Sequence, residues 1–117
     1  MITNDDMDLV FRALSHQTRR RMLDLLRDRP GQSVGELAQS FDVSRIAIMN
    51  HLKVLEDAAL VISSKDGRTR QLFLNAMPIH AIHERWIDAY GGYWADRLSS
   101  IKQAAELAAA NTKTDKG

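Results

Sequence analysis

The stretch SRIAIMNHLKVLEDAALV, Ser44–Val61, carries the pattern on which the fold turns. Ile48, Leu52, Leu55 and Ala59 recur at spacings of four, three and four. That is one stripe of a helix of 3.6-residue period, which ends at Ala58–Ala59. The opposite face carries Ile46, Asn50, Lys53 and Asp57, with Met49 on its flank. A helix face turned to water is usually lined with charged and polar side chains. An Asn and a Lys beside two unprotected apolar side chains call for a different explanation.

Upstream, Ser33 is followed three residues later by Glu36, the spacing of a capping box. Val34, Leu37, Ala38 and Phe41 then make the apolar side of a short helix. Asp42–Val43 leaves room for a tight turn only, and Ser44 is placed to cap the helix that follows. Residues 33–59 therefore predict helix, short turn, helix, the arrangement in which the second helix enters a DNA major groove. Further upstream, a first helix is expected over Asp5–Leu14, with acids in its first turn where the helix dipole favours them. Ser15 is the expected cap of a second helix, His16–Arg29, which Pro30–Gly31 terminates.

After Leu60 the period changes from 3.6 to 2. LVISS and RQLFL read as two short strands, and Asp66-Gly67 between them suits a tight hairpin turn. The tip carries Lys65 and Arg68. A hairpin with a cationic tip directly after a recognition helix is a wing. Asn75 is placed to cap a last helix over about 78–110, with Pro78 tolerated in its first turn. Its stripe includes Trp86, Tyr90, Trp94, Leu98 and Ile101, and Gly91–Gly92 is a place for a bend. The reading is one mostly α domain over residues 1–111, with five helices and a two-stranded wing, and a disordered polar tail over 112–117.

The chain has 117 residues, 44% hydrophobic and 26% charged, with a net charge of +1. That is ordinary for one soluble domain. No apolar run approaches the ~20 residues of a membrane span, and the acidic start lacks the basic region of a signal peptide. There is no cysteine, which excludes disulfides, thiolate metal sites and a Cys nucleophile and fits a cytoplasmic protein. Charge is uneven: six Arg against two Asp fall within residues 12–29. Three consecutive arginines, Arg19, Arg20 and Arg21, point in three directions, so most are expected to be solvated or paired with Asp24 and Asp28.

The order of FRALSHQTRRRMLDLL, SVGELAQSF, SRIAIMNHLKVLEDAALV and DGRTRQLFLN resembles the ArsR family of bacterial winged-helix repressors, over about residues 9–100. The resemblance implies a winged helix-turn-helix that binds double-stranded DNA as a homodimer joined through its first and last helices. Leu9, Trp86, Tyr90, Trp94, Leu98 and Ile101 are the expected interface residues, and Trp and Tyr are enriched at such surfaces. Two positions depart from the family pattern. Ile46 stands where Pro is usual, and Met49 where a small polar residue is usual. Both lie on the groove-facing side, so the operator read is expected to differ from that of typical relatives.

On this reading Asn50 is suited to a bidentate pair with adenine, Lys53 to guanine or phosphate, and Ile46 and Met49 to thymine methyls. Ser44 and Arg45 sit at the helix N-terminus, where a phosphate is favoured. Lys65, Arg68 and Arg70 of the wing are expected to meet the backbone or the minor groove. His51 lies beside the buried stripe and is expected to be a partly buried structural residue, capping or bridging to the second helix. Relatives often release DNA when a metal binds, but ELAQSF has no Cys. His80, His83 and Glu84 share a helix face, yet Pro78 and Tyr90-Gly91-Gly92-Tyr93-Trp94 do not match the family's last-helix site. No metal or cofactor is expected, and the inducer stays open. Nothing in the chain assembles a catalytic set. The alternative to a repressor is a winged-helix interaction module, which would have no need of Asn50, Lys53, Arg68 and Arg70 together.

Overall fold

A computed structural model describes residues 2–87 and 91–115, with residues 91–95 and 111–115 described by their backbone alone. Helix α1, Asn4–Leu14, starts one residue earlier than the acids suggested, because Thr3 and Asp6 form a reciprocal capping box. Met7, Val10 and Ala13 are its buried face. Helix α2 spans Gln17–Asp28. Its cap is His16, not the expected Ser15: His16 Nδ1 accepts the Thr18 N–H at 3.1 Å. Ser15 is already committed to closing α1, where its hydroxyl donates to the Arg12 carbonyl at 2.7 Å. Gly31, with φ +86, turns the chain after α2, a conformation that suits glycine.

Helix α3 is Val34–Ala38, opened by the Ser33–Glu36 capping box. Helix α4 is Arg45–Asp57, opened by Ser44, whose side chain accepts the Ala47 N–H at 3.1 Å. It closes as a Schellman motif: Leu60 N–H donates to the Leu55 carbonyl and Ala59 N–H to the Glu56 carbonyl. Ala59 itself holds φ +58. The helix-turn-helix is thus assembled from three local caps.

Strands β1, Val61–Asp66, and β2, Thr69–Leu74, pair antiparallel with Asp66 opposite Thr69. The loop is therefore Gly67-Arg68, with positive φ at Gly67 alone, as in a II′ turn. Asp66 is the last strand residue, not a loop residue. An unanticipated bridge joins Gln32 to Leu72. Gln32 is buried, and its amide donates to the Leu25 and Arg29 carbonyls at 2.9 and 3.0 Å. The base of the wing is thereby tied to the end of α2.

The core is where the elements meet. Met22 and Leu26 of α2, Leu37 of α3, Ile48, Leu52 and Leu55 of α4, and Leu60 and Leu72 around the hairpin are fully buried in one cluster. Each such Leu is worth roughly 2–5 kcal/mol against Ala. Ile48, Leu52 and Leu55 of the expected stripe hold the outer face of α4 away from the protein; its fourth member, Ala59, lies past the helix end and is exposed, and Ala58 is buried instead.

The expected single last helix is described as two: α5, Met77–Ile87, and α6, Gly91–Asp115, on either side of residues 88–90. Helix α6 is thus followed beyond position 110. The chain divides into two compact units, Met1–Ile82 and His83–Gly117. The first contains the helix-turn-helix and the hairpin.

Candidate nucleic-acid interface

Burial of one side of α4 decides what the other side presents. With Ile48, Leu52 and Leu55 inside, Ser44, Arg45, Ile46, Met49, Asn50 and Lys53 are all exposed. Ile46 is 72% exposed and Met49 47%, values that make neither a core residue. The N–H groups that a helix start leaves open beyond the one Ser44 caps, and its partial positive charge, lie at the Ser44–Arg45 end.

The hairpin stands next to this face. A shallow hollow is lined by Ser33, Val34 and Gly35, by Arg45 and Met49 of α4, and by Arg68, Thr69 and Arg70 of the wing. A second hollow, along the later turns of α4, is lined by Met49, Asn50, Lys53, Glu56 and Arg70 among others. The fold therefore gathers Arg45, Met49, Asn50, Lys53, Arg68 and Arg70 on one side. Ser44, Ile46 and Lys65 are exposed but line neither hollow.

The wing cations differ in their surroundings. Arg70 is half-buried and donates to the Glu56 carboxylate, with Ser63 at 3.4 Å. It braces β2 against α4, a role with no local sequence signal. Lys65 and Arg68 are exposed and make no ion pair among the described residues. In α2, Arg27 takes Asp24 and Asp28 at 3.7 and 3.0 Å. Of the two alternatives expected for the Arg19–Arg21 run, solvation or pairing with these acids, the pairing is taken by Arg27, and Arg21 is exposed. Arg19 and Arg20 are spent on backbone carbonyls of the α1 end instead.

His51 is half-buried, with its Nδ1 3.1 Å from the Arg19 guanidinium and its ring 4.5 Å from that of His16. It is the structural bridge to α2 that its position suggested. Burial lowers its pKa, and His16 and Arg19 add to that shift.

Of the residues expected at a dimer interface, Leu9, Trp86, Leu98 and Ile101 expose 40%, 61%, 62% and 60% of their surface. Leu9 stands at an apolar hollow it shares with Ile2, Val10, Ala58, Met77 and Pro78. Tyr90, and the side chain of Trp94, lie outside the described residues. His80 and His83 are exposed on α5. Among the described residues, no group of three or more His, Asp or Glu comes together to hold a metal ion. Among the same residues, no helix is long and apolar enough to cross a membrane.

Comparison with known proteins points the same way as the geometry. A family model described as a helix-turn-helix domain matches residues 14–63. The chain is 37% identical over 91 residues to the uncharacterized HTH-type transcriptional regulator YuzN of Bacillus subtilis, spanning 73% of this chain and 99% of that one. It is 35% identical over 69 residues to the transcriptional repressor SdpR of the same bacterium, spanning 59% and 76%. The solved structure of an ArsR-like transcriptional regulator from Rhodococcus sp. RHA1 is similar at a TM-score of 0.66 with 37% identity, over 87% of this chain and 92% of that one.

Proposed function

The chain belongs to the ArsR family of winged helix-turn-helix transcriptional regulators, not to an enzyme family, and we propose that it is a homodimeric repressor of a palindromic operator. The observation that carries this reading is the outer face of α4. It sets Ile46, Met49 and Asn50 among Arg45 and Lys53 where a solvated face would be charged throughout, and it shares a side with the exposed wing arginine Arg68. Asn50 and Lys53 read base edges, and Ile46 and Met49 pack on thymine methyls. Ser44 and Arg45 take a phosphate at the helix start. Lys65 and Arg68 hold the backbone beside the groove, and Arg70 keeps the wing at the distance from α4 at which they reach it.

The dimer is proposed to form through α1 and the last two helices, with Leu9, Trp86, Tyr90, Trp94, Leu98 and Ile101 covered by a second copy. Leu9, Trp86, Leu98 and Ile101 are large apolar side chains exposed in the single chain, which suits an interface. Two α4 helices would then enter major grooves ~34–36 Å apart. The working module is residues 1–111, acting in the cytoplasm, where the chromosome lies. Repression follows from occupying promoter DNA.

The test is a hydroxyl-radical footprint on the DNA upstream of the chain's own gene, combined with the mass of the complex by sedimentation. Two protected patches one helical turn apart and two chains per DNA are expected. A single short patch with one chain bound would overturn the dimeric reading.

A further inference from the structure

Arg19, in the first turn of α2, makes three contacts. Its Nε donates to the Ala13 carbonyl at 2.8 Å and its Nη2 to the Arg12 carbonyl at 2.9 Å. Both carbonyls belong to the last turn of α1. Its Nη1 lies 3.1 Å from His51 Nδ1, on α4. One side chain therefore joins the end of α1 to the helix proposed to read DNA. A guanidinium has donors and no acceptor. The contact is a hydrogen bond only while His51 Nδ1 carries no proton.

A second imidazole is held under the same condition. His16 accepts the Thr18 N–H on its own Nδ1 at 3.1 Å, which caps α2. Its ring is 4.5 Å from that of His51, tilted by 49°. The ionic groups that act on His51 are His16 and Arg19, both from the α2 side. Among the described residues, no charged group of the packed elements α1, α3 and β1 adds to these, and no carboxylate pairs with any member of the trio.

We propose that Arg19 and His51 are positioning residues that form an acid-released latch, holding α4 in its DNA-reading register against α1 while His51 is neutral and letting it go when His51 is protonated. The proposal rests on the reading of α4 as the recognition helix. Protonation at Nδ1 removes the acceptor and sets an imidazolium against a guanidinium that has no carboxylate partner among the described residues. Like charges at that separation repel, and partial burial strengthens the effect. Burial and the two neighbouring bases already disfavour the charged form of His51. Position 51 is next to Asn50, and base readout tolerates displacements of only about 0.5 Å. The direction of the effect is diagnostic. Added positive charge on a DNA-binding protein ordinarily tightens binding. Release of the latch does the opposite.

The experiment has two readouts on the intact chain. Operator affinity is measured by anisotropy at about pH 7.5 and about pH 5.5 for the wild type and for His51→Asn, whose amide oxygen accepts at either pH. The wild type is expected to lose about threefold in affinity with acid, the scale one proton allows at a site whose pKa is lowered, and His51→Asn to lose little. Equal pH profiles in the two proteins, or tightening in both, would overturn the latch. In parallel, NMR without DNA follows the His51 ring protons and the α4 amides through the titration. Amide shifts along α4 that track His51 support the latch, and their absence overturns it. If no DNA is preferred at any pH, the DNA-reading role of α4 fails, and the NMR arm alone decides whether the latch exists.

Discussion

Ala59 sits at φ +58, a left-handed conformation that costs an L-residue with a Cβ roughly 1–2 kcal/mol. It is tolerated because Leu60 and Ala59 N–H groups close α4 onto the Leu55 and Glu56 carbonyls, and Asn75 Nδ2 donates to the Ala59 carbonyl at 2.8 Å. Ala59→Gly is expected to raise stability by about 0.5–1 kcal/mol, after allowance for the entropy of glycine in the unfolded chain. Urea denaturation measures it, and an unchanged or lower midpoint would contradict the strain. His51 makes the second residue-scale prediction. Its pKa is lowered in the folded chain, so between that value and the unfolded value near 6.5 the unfolded chain binds more protons. Stability is therefore full above about pH 6.5 and falls as the pH drops through the folded value. His51→Asn is expected to flatten that part of the urea midpoint's pH dependence, and a dependence identical to the wild type would refute the assignment. Residue-level signals were legible where they were local. Ser33–Glu36 and Ser44 announce their caps within three residues. The His16 cap was not legible, because Ser15 is the better cap by composition and only the turn geometry spends it on α1.

Among the elements, the wing is the part that the sequence described in outline and the fold completed. Alternation and Asp-Gly identified the hairpin, since both are local. The Glu56–Arg70 brace and the Gln32–Leu72 bridge were not legible, because they pair residues far apart in the chain and exist only once the hairpin docks. The same is true of the Arg19–His51 contact, 32 residues apart. Breaking the brace with Glu56→Gln is expected to cost about 1 kcal/mol or less, as for other partly exposed pairs. It should also weaken DNA binding despite removing a negative charge, and stronger binding would show that Glu56 merely repels DNA. Arg68→Ala, by contrast, is expected to leave stability unchanged, weaken binding to all sequences alike and reduce the salt slope by about 1. A sequence-selective loss would instead place Arg68 on a base.

For the whole molecule, the outer face of α4 and the exposed Leu98 and Ile101 of α6 are two halves of one proposal. A single recognition helix covers half of a palindrome, and dimerisation makes the second contact intramolecular, a gain of roughly 10²–10⁴ in affinity. Leu98→Glu with Ile101→Glu is expected to yield a folded monomer by sedimentation with operator affinity lowered by roughly a hundredfold. A dimer that survives both changes would move the interface elsewhere. The repressor reading as a whole stands on α4, and the most direct test of it is fluorescence anisotropy of upstream promoter DNA against random DNA, at several salt concentrations, with wild type and Asn50→Ala side by side. Salt-dependent binding with a clear preference for the promoter is expected, with a loss of about 1–3 kcal/mol of that preference in Asn50→Ala. Wild type that prefers neither DNA, with Asn50→Ala indistinguishable from it, would contradict the claim that this face reads sequence.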